Sequence, residues 1–381
     1  MPANVGLAQL SNAFLVAALL SYSLAVLAFT GDFAFGRRRG AAAAGRTRAR
    51  VPELVGAGAA EAAAAGDAAP GARPAPGPGA GDGPAPLPPG TGSAAAWTRR
   101  DAAASTWVRV ALAVTVAGVA AHLAGVITRG LAVHRIPWGN MYEFVTALTC
   151  VAVIFFLGLM IRYQAYRLGL FVMGAVVVAL GLAQTVIYTE AGPLVPALQS
   201  YWLSIHVTAM TLATGTYFVA AVLGVVYLFA ERHARRAAKR ERQVKRERQA
   251  KRERQAMREL QPAGGPGGAD AIMRRLPGPE ALDRLAYRTV MFAFPIWTFG
   301  IIAGAIWADQ AWGRYWGWDP TETWAFITWV VYACFLHARA TAGWRGRKAA
   351  IIQLIGFGCL VFNLIGVSLF ITGLHSYAGL N

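Results

Sequence analysis

WADQAWGRYWGWDPTETW, residues 307 to 324, gathers five tryptophans (Trp307, Trp312, Trp316, Trp318 and Trp324) around one Asp-Pro step. Long apolar runs lie on both sides of it. So much indole in one place builds either a flat binding surface or an aromatic belt at a membrane interface. Which reading applies decides what the protein does, and the runs around the segment have to place it.

The composition supports that class. Of 381 residues 56% are hydrophobic and 14% charged, well below the roughly 25% charged of an average soluble domain. Mean hydropathy is +0.42. Several runs reach the ~20 residues that a helix needs to cross a hydrocarbon core. The sequence therefore predicts an all-α, polytopic membrane helical bundle of about eight transmembrane helices. The runs fall near 8–30, 107–128, 142–161, 168–188, 203–230, 289–308, 324–341 and 350–373.

The formal charge of +17 is concentrated in a few connections. Arg37 to Arg50, Arg162 with Arg167, Arg232 to Arg258, and Arg345 to Lys348 occupy alternate loops. The positive-inside rule is satisfied by all four at once if those loops are cytoplasmic. Both termini and the tryptophan-rich loop then face outward. The first run lacks a basic leader and has Arg37 to Arg39 after it, so it reads as a retained helix rather than a cleaved signal.

Five regions follow. Residues 1–36 hold the first helix, and 37–106 form an Ala/Gly/Pro-rich cytoplasmic linker whose composition cannot offset chain entropy. Residues 107–230 hold helices two to five, 231–286 a basic cytoplasmic arm, and 287–381 helices six to eight with the tryptophan loop. The arm contains a six-residue repeat, KRERQV-KRERQA-KRERQA, from Lys239 to Ala256. Its period matches neither 3.6 nor 3.5, so no apolar stripe forms. The reading is a solvated helix near anionic headgroups, not a nucleic-acid binder. Cys150, Cys334 and Cys359 sit in apolar runs and read as small buried hydrophobes. No CxxCH is present, so the chain is not itself a c-type cytochrome.

Six histidines remain as candidate ligands. His206 and His375 fall at the outer ends of the fifth and eighth spans, flanking the tryptophan loop. His337 falls about 14 residues into the seventh span, roughly 20 Å deep. Two neutral imidazoles can hold a haem on both axial faces, and indoles suit the macrocycle, with Arg314 near enough in sequence to meet its carboxylates. The plainer readings are an ordinary aromatic belt and histidines that only bridge helices. Asp319 and Glu322 read as a helix start rather than as acid–base groups, and Glu143 reads as structural.

WGRYWGWDPTETW resembles the tryptophan-rich signature, or WWD domain, of the haem-handling superfamily. Its WDPxETW core is similar to the CcsA (ResC) branch of system II cytochrome c biogenesis. The resemblance extends from about residue 107 through PWGNMYEF, SIHV, LHAR and GLHSY. It implies that His206 and His375 are external axial ligands of haem b, carried as transported substrate. It implies that His337 serves an inner haem site, and that Trp312, Trp316, Trp318, Asp319 and Trp324 shape the haem surface beside Trp307. The implied partners are a CcsB/ResB-type membrane subunit and apocytochrome c. The implied activity is haem–thioether formation by a holocytochrome c synthase complex. Many members of that family carry Lys where this chain has Thr321, so position 321 is given no charge role. The Ala/Gly/Arg bias fits a high-GC bacterial gene and hence a plasma membrane. The rival readings are a system I-type carrier delivering haem to a chaperone, a transporter of another substrate, and a respiratory scaffold. As interfacial anchors for the two spans beside the loop, Trp307 and Trp329 would satisfy the belt reading.

Overall fold

The computed structural model describes residues 4–35, 105–192, 198–255 and 276–375. The expected linker, up to residue 104, and the arm over 256–275 lie outside them, as do the terminal residues 1–3 and 376–381. Among the described residues every regular element is helical. Helix α1 spans Val5–Phe35, α2 Thr106–Val133, α3 Met141–Tyr163, α4 Gly169–Thr185 and α5 Tyr201–Gln255. They are followed by α6 Pro279–Trp312, α7 Pro320–Ala340, α8 Arg347–Val361 and a short α9, Ser368–Phe370.

Local chemistry sets the starts. Ser105 accepts from the Val108 N–H at 3.2 Å and Asn140 from the Glu143 N–H at 2.9 Å, each satisfying an orphan donor of a first turn. Pro279 and Pro320 occupy first helical positions, where their missing N–H costs nothing. Among the described residues seven helical segments are long and apolar enough to cross a membrane, and the chain is a multi-pass membrane protein. Helix α7 has span length at 21 residues but is not one of the seven. Its threonines, tryptophans, His337 and Arg339 dilute its hydropathy.

Two features depart from the expected spans. Helix α5 does not stop near residue 230; it continues unbroken to Gln255 as one helix of 55 residues. No Gly or Pro interrupts it after Glu231, and the ion pairs Glu231–Arg235 at 2.6 Å and Glu241–Lys245 at 3.0 Å lie along it. The repeat from Lys239 is therefore helical as far as Gln255, on the same helix as the span. At the other end of the chain, α8 gives way to a π-helical turn, Phe362–Val367, and helix ends at Phe370 rather than near 373.

Helix α1 packs along α2, α5 along α6, and α8 on both α7 and α5. Close approach of α1 and α2 depends on small residues: a Cβ on Gly118 would stand 2.6 Å from the Tyr22 ring, and one on Gly125 2.8 Å from Leu15. The second half is centred on Tyr217, stacked on Tyr332 with ring centroids 4.0 Å apart and edge-on to Trp297 at 6.0 Å. All three cysteines are free, and Cys334 lies exposed on α7 rather than buried as read from sequence.

Polar contacts define one end of the bundle. The Asn4 N–H donates to Ala132 O at 2.8 Å, Arg135 reaches Gly192 O at 3.2 Å, and the Trp138 indole donates to Thr208 at 3.2 Å. The tryptophan loop between α6 and α7 lies at this end. At the opposite end Arg339 forks onto Asp283 at 2.8 and 3.0 Å.

Candidate functional site

His206 is carried by the second turn of α5. Its Nδ1 lies 2.7 Å from the Gly300 carbonyl of α6. A carbonyl only accepts, so Nδ1 carries the proton and Nε2 holds the ring's lone pair. Gly304 makes the approach possible: a Cβ there would stand 2.6 Å from Nδ1. On its other side the imidazole is nearly parallel to Trp307, with centroids 6.1 Å apart and planes 14° apart.

His375 reaches the same place from the turn after α9. Its Nδ1 lies 2.7 Å from Asp319 Oδ2, so this ring too presents Nε2 as its lone-pair nitrogen in the neutral form. Asp319 is the N-cap of α7 within a full capping box with Glu322. Its Oδ1 accepts from the Leu374 N–H at 2.7 Å and its Oδ2 from the Thr321 N–H at 3.2 Å. Glu322 accepts from the Gly317 and Asp319 N–H groups at 2.9 and 3.1 Å. Burial alone would raise the Asp319 carboxyl. The hydrogen bonds from His375, Leu374 and Thr321 outweigh it and hold the group below its ordinary value.

Trp307 joins the two histidines. It is 1% exposed, so it is no interfacial anchor. Its ring also meets His375 at 5.9 Å, and Trp312 meets His375 at 5.1 Å. Both imidazoles border one open cavity with about 910 Å³ of empty space, walled by Trp138, Met210, Trp297 and Asn363 among others. An adjoining lobe of about 510 Å³ adds Trp312, Trp316 and Tyr315.

The loop does not present all five of its indoles to that space. Trp318 has φ 57, a left-handed conformation rare outside glycine, and is 66% exposed. Trp324 packs instead on Phe362 at 4.3 Å. Arg314 is exposed and folds over Gly317, where a Cβ would meet its guanidinium. His337 lies 17 residues beyond Pro320, about 26 Å along α7, on an exposed face at the far end. Trp329 is partly buried and donates to Thr298 at 2.9 Å.

Several wall residues come from outside the tryptophan loop. Trp138 and Asn140 belong to PWGNMYEF, while Trp297 and Asn363 are mid-helix positions that only the packing of α5, α6 and α8 brings together. Asn363 Oδ1 is buried without a hydrogen-bond partner, which is unusual for a buried polar atom and marks it as available to a bound group. Glu143 is structural, as expected: it accepts from Arg129 at 3.2 Å, Arg135 at 2.8 Å and the Gly139 N–H at 2.8 Å.

The family model described as cytochrome C assembly protein matches residues 138–375. The chain belongs to the CcsA family of cytochrome c biogenesis proteins. The cytochrome c biogenesis protein CcsA of Heterosigma akashiwo is 36% identical over 251 residues, covering 64% of this chain and 77% of that protein. That of Guillardia theta is 37% identical over 264 residues, covering 67% and 80%. The fold is shared with a solved cytochrome c haem lyase, CcmF, at a TM-score of 0.53 and 15% identity, over 94% of this chain and 46% of that longer one. Family membership gives this member a role in cytochrome c biogenesis. The match encloses His206, the tryptophan loop and His375.

Proposed function

We propose that this chain carries haem b as substrate and presents it, between His206 and His375, to apocytochrome c for thioether attachment. The observation that carries the proposal is the pair of imidazoles on one cavity, each with Nδ1 engaged so that Nε2 is the nitrogen fit for iron. The apolar, indole-rich wall suits a flat macrocycle, and the buried Asn363 amide offers it a polar contact.

Attachment adds each thiol of CxxCH across a vinyl double bond. Sulfur bonds one vinyl carbon, the thiol hydrogen goes to the other, and nothing leaves. Such a step needs orientation and proximity more than an acid–base group. That fits a site whose carboxylates, Asp319 and Glu322, are engaged in capping α7. The basic loops support a cavity on the outer face, with the α5 extension in the cytoplasm, and the Ala/Gly/Arg-rich composition is consistent with a bacterial plasma membrane. His337, on an exposed face, is suited to an inner haem station shared with a CcsB/ResB-type subunit. The complex would act as a holocytochrome c synthase.

The test is the absorption spectrum of the chain purified with its partner. We expect a six-coordinate, two-histidine haem. His206→Ala and His375→Ala should each lower haem affinity at least about tenfold, a loss as large as that from removing an outer-shell partner, with recovery on adding imidazole. Unchanged haem content in both variants would sink the ligand assignment. Gly304→Val is expected to act like His206→Ala although it removes no ligand, because its side chain occupies the place of the imidazole. An unaltered spectrum in that variant would show that the ring is not held against α6.

A further inference from the structure

The two candidate ligands are held in different ways. His206 projects from the long helix α5, and its ring is wedged between Gly304 and the near-parallel Trp307. Retreat is closed on one side, where even a Cβ on Gly304 would stand 2.6 Å away. His375 lies five residues beyond the last helix, on a turn whose Leu374 N–H is bonded to Asp319. Its side chain is 22% exposed, while that of Asp319 beneath it is 3% exposed.

Building on the haem reading above, we propose that His206 is the fixed axial ligand and His375 the exchangeable one. Asp319 is then the positioning residue that holds His375 when the cytochrome's own histidine takes its place. Substitution at iron needs room for an incoming imidazole and a path for the outgoing one. The His206 side offers neither, because its ring is clamped on a membrane helix. The His375 side offers both, since a turn moves more cheaply than a packed helix. A carboxylate partner strengthens a histidine as ligand, by roughly ten- to a hundredfold in affinity. That supports His375 while the haem waits and gives its Nδ1–H a partner after displacement. Access, rather than ligand strength, decides which side opens.

Haem-loaded protein with its partner can be titrated with an Ala-x-x-Ala-His peptide, which can ligate but cannot form thioethers, with six-coordinate absorbance as readout. His375→Gly removes the ligand with which the peptide competes. The peptide should then bind about tenfold tighter or more than to the unaltered protein, because the competent fraction rises. His206→Gly should either shed haem or leave peptide affinity unimproved, with imidazole restoring the spectrum as evidence of a folded site. Tightening by His206→Gly alone, or equal tightening by both, would overturn the assignment. A starting protein without a two-histidine spectrum would instead defeat the underlying haem reading.

Discussion

Asp319→Ala is expected to cost the chain both ligand strength and local stability, the largest combined effect of any single change at the cavity. The carboxylate holds His375 Nδ1 and the Leu374 N–H, and it caps α7. Loss of a carboxylate behind a ligating histidine weakens metal affinity by roughly ten- to a hundredfold. Loss of an N-cap costs about 0.5–2 kcal/mol. The two parts separate in Asp319→Asn, because asparagine caps as well as aspartate but brings no charge. Haem titration should place Asn between wild type and Ala, while thermal unfolding in detergent should place it near wild type. Equal haem affinity in all three proteins would remove Asp319 from the ligand's support. The carboxyl is held below its ordinary value, so its contribution is present above the usual carboxylate range near pH 4 and is lost only as pH falls below it.

Much of this arrangement is legible in the sequence, and for a definable reason. Helices that must satisfy every backbone group in lipid announce themselves by long apolar runs, so the spans emerge with small errors at their ends. The errors are informative. The helical arm beyond the fifth span is legible from uninterrupted good helix formers and i,i+4 pairs, whereas hydropathy marks only the membrane part of α5. The π-turn at Phe362–Val367 leaves no compositional mark. Asp319 and Glu322 read correctly as a helix start because capping is local. That Asp319 also holds His375 depends on a contact 56 residues away, beyond the reach of spacing.

The tryptophan loop shows the same division. Density of indole suggests a continuous shelf, yet Trp318 has a left-handed backbone and is exposed, and Trp324 packs on the π-turn that follows α8. Trp138 and Trp297, from elsewhere in the chain, complete the wall. Which indoles face a shared space is decided by how helices cross, and a linear run carries no record of that. That His206 and His375 border one cavity is legible because topology confines them to one end. Their unequal support is not, because Gly304 and Asp319 become relevant only once α6 and α7 stand beside them.

The largest effect on stability is expected from Glu143→Ala, outside the cavity. Glu143 is 1% exposed and neutralises Arg129 and Arg135 together, with side chains 3% and 14% exposed. One carboxylate between two guanidiniums already leaves a net positive charge, and Arg129 Nη1 and Arg135 Nε lack partners. Removing the acid strands both cations, a change that costs about 3–5 kcal/mol at a buried pair. Its consequence should reach the site, since the same carboxylate accepts from the Gly139 N–H between the wall residues Trp138 and Asn140. Thermal unfolding and haem occupancy should therefore fall together in Glu143→Ala, whereas Asp319→Asn lowers haem affinity with little loss of stability. Replacing Arg129, Arg135 and Glu143 together by methionine or leucine should recover much of the stability, because a buried ion cluster is often no better than apolar packing. Haem occupancy should return with it only if the loop from Arg135 to Asn140 regains its course without the ions. Full recovery of both would confine the cluster to a packing role; recovery of stability alone would show that its charges set the shape of the cavity wall.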